Sequence, residues 1–234
     1  KSKCKLFADD SLLYREIRSE EDQHIMQSDL DQLESWSKKW GMSFNAKKCY
    51  ILRISRKTPL QKFYSLCNIV LQEVQHTAYL GVEISNDLQW EVHVNKICSK
   101  ANQVLGFLRR NLGDCPQSLK ETAYCSLTRS KLEYAASVWD PYLRKDVNNI
   151  EKIQRRGARF VTKKYHHSYD TDQILADLNW TSLEKRRKNQ RLFMMYKIVN
   201  DMAAAPKDYL HANTTITRKQ NSQQFKVLRS KTEQ

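Results

Sequence analysis

The chain has 234 residues, 40% of them hydrophobic, and carries 40 Lys and Arg against 26 Asp and Glu, a net charge of +14. That apolar content excludes a wholly disordered chain, and only five Gly and four Pro exclude a loop-rich all-β protein, so helix should dominate. The charge is lopsided: residues 1–89 hold 13 basic and 12 acidic side chains and residues 90–234 hold 27 and 14, so the back part is expected to face a polyanion.

At the front, Leu6-Phe7 and Leu12-Leu13-Tyr14 flank Ala8-Asp9-Asp10-Ser11. Two short apolar runs around a polar break read as a β-hairpin, and carboxylates at its tip suit a hard cation such as Mg²⁺. Alone, the tetrapeptide Phe7-Ala8-Asp9-Asp10 fits a solvated hairpin tip better than a metal site. Ser19 followed by Glu20, Glu21 and Asp22 then marks a helix start. Met26, Leu30, Leu33, Trp36 (or Ser37) and Trp40 recur at helical spacing up to Gly41, and both tryptophans are expected in the core. Met42 and Phe44, then Tyr50, Leu52 and Ile54, alternate as one strand or two, broken at Arg56-Lys57-Thr58-Pro59. Residues 63–71 and 73–84 read as another strand pair, closing a small α+β unit near Leu88.

Beyond Trp90 the period becomes helical. Ile97, Ala101, Val104/Leu105 and Leu108 share one face. Leu119, Ala123 and Leu127 open a second helix toward Tyr134, with Pro116 and Pro141 at boundaries. Over 147–164, at about 100° per residue, Ile150, Ile153, Gly157, Phe160 and Val161 fall in one sector. Lys152, Arg155, Arg156, Arg159 and Lys163 cluster opposite. Five cations with no acid among them repel one another unless an anion lies against them, so a phosphate-facing helix is favoured over a merely solvated face. Thr181-Ser182-Leu183-Glu184 reads as a capping box opening a helix through Lys185-Arg186-Arg187-Lys188 to Val199. That basic run fits a phosphate contact, a nuclear-localisation-like patch or plain solvation. Residues 201–234 read as a polar, frayed tail.

The cysteines at positions 4, 49, 67, 98, 115 and 125 show no metal-ligand spacing, and His93 with Cys98 reads as ordinary packing. No signal peptide and no apolar run near the roughly 18–20 residues of a membrane span is visible, so an intracellular protein with reduced thiols is expected. The first methionine is Met26, which reads as the C-terminal piece of a longer product. No feature sets an oligomeric state.

In order, these elements resemble the C-terminal part of a LINE-type (non-LTR) retrotransposon reverse transcriptase, of the jockey or chicken-repeat kind. The resemblance rests on Phe7-Ala8-Asp9-Asp10; on Trp36 through Cys49 with its Trp, Trp, Phe-Asn and Lys-Cys; and on Tyr79-Leu80-Gly81-Val82 with Trp90 and His93. It continues through Leu132-Glu133-Tyr134, Val138-Trp139-Asp140-Pro141, Ile150-Glu151, Gln154 to Arg159 and Leu183 to Arg187.

The fold it implies is α+β: a partial palm over 1–89, with catalytic hairpin, helix, strand and primer-grip hairpin, then an all-helical basic thumb and post-thumb region over 90–200. By resemblance, Asp9 binds catalytic Mg²⁺ and Asp10 supports it. An aspartate on an earlier strand completes a two-metal site that activates the primer 3′-oxygen. Lys48 lies near the incoming deoxynucleoside triphosphate. Tyr79, Leu80 and Gly81 hold the primer end. Lys152, Arg155, Arg156, Arg159, Lys163, Arg186 and Arg187 track the phosphates of an RNA template, a DNA primer and their RNA–DNA hybrid.

The implied location is a cytoplasmic ribonucleoprotein and the nucleus. Only eight residues precede Asp9, so the earlier aspartate and the fingers fall outside the 234 residues, which alone are expected not to polymerise DNA. The alternative is a module that binds RNA or the hybrid without chemistry.

Overall fold

Three apolar clusters organise the computed structural model, which describes residues 2–55 and 63–203. The expected break at Arg56–Pro59 and most of the expected tail lie outside those residues. The fold is mixed, with small two-stranded sheets followed by helices.

Strands β1 (Lys3–Phe7) and β2 (Asp10–Tyr14) form the expected antiparallel hairpin, in register Phe7↔Asp10 to Lys3↔Tyr14. Ser19 caps α1 (Glu20–Lys39), accepting from the Asp22 amide at 3.4 Å, and Gly41 at φ +65° follows its end. The buried line of α1 is Gln23, Leu30 and Ser37, at a spacing of seven. Trp36 and Trp40 are therefore not core residues as expected: they lie off that line and are 44% and 64% exposed. Leu30 packs with Ala46, Tyr64, Leu66 and Leu71.

The two long strands expected over 63–84 are shorter pieces. Cys67 and Asn68, both at positive φ, turn the chain between β4 (Ser65–Leu66) and β5 (Ile69–Val70). Asn tolerates that conformation, Cys rarely does, and so the turn carries no strong signature. Next come β6 (Gln72–Val74), parallel to β3 (Tyr50–Leu52), and the hairpin of β7 (His76–Tyr79) and β8 (Val82–Ser85). Met42–Asn45 forms no strand, and a 3₁₀ turn spans Ala46–Lys48.

The helical part begins with α2 (Glu91–Asn111), which buries Ile97, Ala101, Leu105 and Leu108 as its period required. The second helix is α3 (Gln117–Ala123), a π-helical stretch Tyr124–Arg129 and α4 (Ser130–Glu133). Its buried line is Lys120, Tyr124, Thr128 and Leu132, whereas Leu119 and Leu127, whose spacing marks the helix in the sequence, are half exposed. A spacing of four suits the wider π turn and drifts off the stripe of a regular α-helix.

Helix α5 (Arg144–Thr162) buries the whole expected sector. Gly157 faces the Tyr124 ring, where a Cβ would stand 2.2 Å from a ring carbon, and that ring stacks on Trp180 at 4.7 Å. The short α6 (Thr171–Asp177), capped by Asp170, was not expected from the sequence. Helix α7 (Leu183–Val199) ends where expected, but its cap is Ser182 rather than Thr181, accepting from the Lys185 amide at 3.2 Å. His93 and Cys98 are buried as expected. Val82 of β8 shares an apolar cluster with α2, α5 and Trp139, which docks the second hairpin onto the helices.

Candidate active-site hairpin and nucleic-acid interface

The first hairpin closes through a two-residue turn, Ala8-Asp9, with Ala8 at φ +51°, and Asp10 is the first residue of β2. Both carboxylates are therefore presented at an apex, and both are exposed. Neither makes an ion pair with a described residue. The base of the hairpin is tied to α1. Arg15 donates to Asp22 through Nε and Nη2, at 3.1 and 2.6 Å, and the Ser2 amide donates to Asp29 at 2.6 Å. The Arg15 guanidinium holds the Asp22 carboxyl well below its usual range, at about 2. The acidic tip thus stands on a charged brace, with Leu13 packed into the apolar cluster of α1.

The donor set at the tip fits one hard cation, since Mg²⁺ takes one or two carboxylates and completes its shell with water or phosphate. It falls short of a two-metal site: no three acidic, histidine or cysteine side chains gather in metal-binding geometry among the described residues. Lys48 is exposed on the 3₁₀ turn and is not paired to Asp9 or Asp10.

At the second hairpin, Leu80 and Gly81 form the turn at φ +47° and +81°. The bare side of Gly81 is taken up by this chain itself: a Cβ there would meet Tyr134 Cε1 at 3.1 Å, and the Tyr134 hydroxyl donates to the Leu80 carbonyl at 3.1 Å. Trp139 Nε1 in turn donates to the Tyr134 carbonyl at 2.8 Å. Tyr134 lies 54 positions from Leu80, so no local pattern reveals this contact. Gly81→Ala should destabilise the fold by about 1–2 kcal/mol, through a left-handed backbone and the ring contact together. Tyr134→Phe, losing one hydrogen bond, should cost about 1 kcal/mol. Urea unfolding checks both, and an unshifted midpoint for Gly81→Ala would refute the contact.

Behind that turn, Glu83 is buried and pairs with Lys96, with His76 Nδ1 at 3.4 Å. The Glu83 amide donates to Nδ1 of buried His93 at 3.2 Å, and Trp139 packs edge-on to the same imidazole at 4.7 Å. Burial lowers the His93 pKa to about 4, so the ring is neutral near pH 7.

The seven cations expected to touch phosphate divide sharply. Lys152, Arg155 and Arg156 are exposed on the outer face of α5. Arg155 lies 3.9 Å from Asp172, and Arg156 donates to Asn102 at 3.0 Å. Arg159 is half-buried and donates to Thr171 at 2.8 Å. Lys163 is not on the helical face: it caps α5 in a left-handed conformation, φ +57°, and reaches Asp114 at 3.2 Å. Arg186 is held by Glu133, with Nη2 to Oε2 at 3.0 Å.

Arg187 corrects the expectation outright. It is 0% exposed, donates to Asp140 at 3.0 Å and lies over the Trp139 ring, so it is a core residue that no phosphate can reach. The expected mutual repulsion is answered in part from within the chain, because Asp172 of the next helix and Asp114, 49 positions from Lys163, bring carboxylates to Arg155 and Lys163. Lys152, Arg155 and Arg156 remain the outward-facing set, exposed and side by side.

Over 188 residues the chain is 23% identical to a Drosophila melanogaster protein described as "Probable RNA-directed DNA polymerase from transposon BS", covering 77% of this chain and 20% of that protein. Over 170 residues it is 24% identical to "Probable RNA-directed DNA polymerase from transposon X-element" of the same organism, covering 69% of this chain and 18% of that protein. The chain thus spans about a fifth of the length of these curated relatives. No family model and no solved structure matches. The similarity to LINE-type reverse transcriptases read from the motifs is borne out by these two transposon polymerases. No described helix is long and apolar enough to cross a membrane.

Proposed function

We propose that these 234 residues are the part of a non-LTR retrotransposon RNA-directed DNA polymerase that carries the end of the palm, over 1–89, and the thumb, over 90–200. The observation that carries this reading is the exposed Asp9-Asp10 pair at a β-turn apex, in a chain similar to two transposon polymerases. In the intact protein Asp9, supported by Asp10, holds Mg²⁺. When bound, the metal activates the primer 3′-oxygen and offsets charge on the leaving pyrophosphate. Lys48 lies toward the incoming deoxynucleoside triphosphate. The Tyr79–Gly81 turn, braced by Tyr134, positions the primer end. Lys152, Arg155 and Arg156 meet the phosphates of the template–primer hybrid, giving sequence-independent, salt-sensitive binding.

Two carboxylates alone are too few for nucleotidyl transfer by two metals. The purified 234-residue chain should therefore bind an RNA–DNA hybrid yet add no nucleotide to an RNA-templated primer with Mg²⁺. Primer extension would contradict the incomplete site, and absence of hybrid binding would contradict the polymerase reading. The second reading, a module that binds RNA or hybrid without chemistry, draws on the absence of any cluster of three acidic, histidine or cysteine side chains among the described residues. A longer polypeptide that contains this chain, assayed for extension with and without Asp9→Asn, separates the two: the polymerase reading expects extension by the parent and none by the variant, and the second reading expects none by either.

A further inference from the structure

The loop between α5 and α6 places four rings in five positions: Tyr165, His166, His167 and Tyr169. None joins an apolar cluster, and Tyr165 and Tyr169 are 49% and 47% exposed. The loop has defined geometry. Lys163 in the left-handed region ends α5 sharply, the Tyr169 amide donates to the His166 carbonyl at 3.2 Å, and Ser168 closes the same turn onto His166 Nδ1 at 2.8 Å. The two imidazoles lie 4.1 Å apart. Cations back the rings: Arg109 lies over Tyr165 at 5.3 Å and Lys164 over Tyr169 at 5.9 Å. Lys164 also reaches Asp177 at 3.5 Å.

Exposed rings interleaved with cations are the chemistry that holds single strands, because unpaired bases stack on rings while the cations meet the phosphates. A duplex keeps its bases inside its own stack and gives such rings nothing to take. We infer that the Tyr165–Tyr169 loop is a stacking platform for single-stranded nucleic acid, separate from the duplex-facing cations of α5. The inference rests on the nucleic-acid reading above and adds to it a second subsite of different selectivity.

The test compares fluorescence anisotropy of the full chain with labelled oligo(dT) and with a labelled RNA–DNA hybrid. Tyr165→Ala with Tyr169→Ala should weaken oligo(dT) binding by about tenfold or more and leave hybrid binding unchanged, and Trp at both positions should restore it. If the Ala pair disturbs the circular dichroism spectrum, Leu at both positions keeps the apolar bulk and tests the same loss of stacking. Unchanged oligo(dT) affinity, or equal losses on both probes, overturns the platform. A parent chain that binds hybrid but not oligo(dT) overturns the platform alone, whereas one that binds neither overturns the nucleic-acid reading as well.

Discussion

Arg187→Ala should cost about 3–5 kcal/mol of folding stability, the largest loss expected of any single substitution considered for this chain. The side chain is fully buried between α7 and Trp139, its Nε donates to Asp140, and Arg191 shares that carboxylate. Truncation opens a cavity under Trp139 and removes one of two cations from Asp140. Arg187→Met, which refills the volume, should recover much of the loss because an apolar replacement of similar size avoids burying a charge. Neither change should weaken binding to a hybrid in the surviving folded protein. Chemical denaturation of both variants checks the order. If Arg187→Ala were as stable as the parent but bound hybrid more weakly, the residue would be a phosphate contact after all.

The second large effect is on pH. His93 is buried and neutral, with its pKa lowered from 6.5 to about 4. Between those values the unfolded chain takes up a proton that the folded chain refuses. Stability is therefore fully present above about pH 6.5 and falls as pH drops toward 4, by about 3 kcal/mol in all from this group. The groups facing it are the Glu83 carboxylate, which opposes the effect of burial, and the Lys96 ammonium, which adds to it. Asp146 and Glu151 carry carboxyls raised by burial and act in the opposite sense, so the informative quantity is the difference between parent and His93→Gln. His93→Gln should flatten the stability–pH curve between pH 6.5 and 4. Parallel curves for the two proteins would show that the imidazole is not excluded from protonation. Because the Glu83 amide donates to His93 directly behind the Leu80-Gly81 turn, the same protonation should loosen that hairpin first.

What was legible in the sequence tracks how local its cause is. The α5 stripe was readable because Ile150, Ile153, Gly157, Phe160 and Val161 obey the helical period, and Ser19 and Gly41 mark α1 with side-chain and backbone chemistry of their own. The acidic turn was readable because apolar runs bracket it. The buried line Lys120-Tyr124-Thr128-Leu132 was not, since the π stretch shifts the period and places Lys at a core position. Trp36 and Trp40 share the broad apolar stripe of α1 but fall outside the core, because only the narrow line Gln23-Leu30-Ser37 is buried. Arg187 sits in a run of four cations that looks uniformly solvated, and its partner Asp140 lies 47 positions away. The same holds for Tyr134 at Gly81 and for the acids that meet the α5 cations. Local pattern placed the elements, and distant contacts decided which polar side chains remained free for a partner.

The most direct measurement of the central claim is the salt dependence of RNA–DNA hybrid binding by the parent chain and by Lys152→Gln/Arg155→Gln/Arg156→Gln. Arg187 is left in place because it is buried, Arg159 because it is half-buried against Thr171, and Lys163 and Arg186 because they lie off the outer face of α5 and turn to Asp114 and Glu133. If the outer face of α5 lies against the duplex backbone, the triple variant binds more weakly whatever the sequence, and its log–log salt slope is shallower by about 2–3. Equal affinity and equal slope in the two proteins would contradict it.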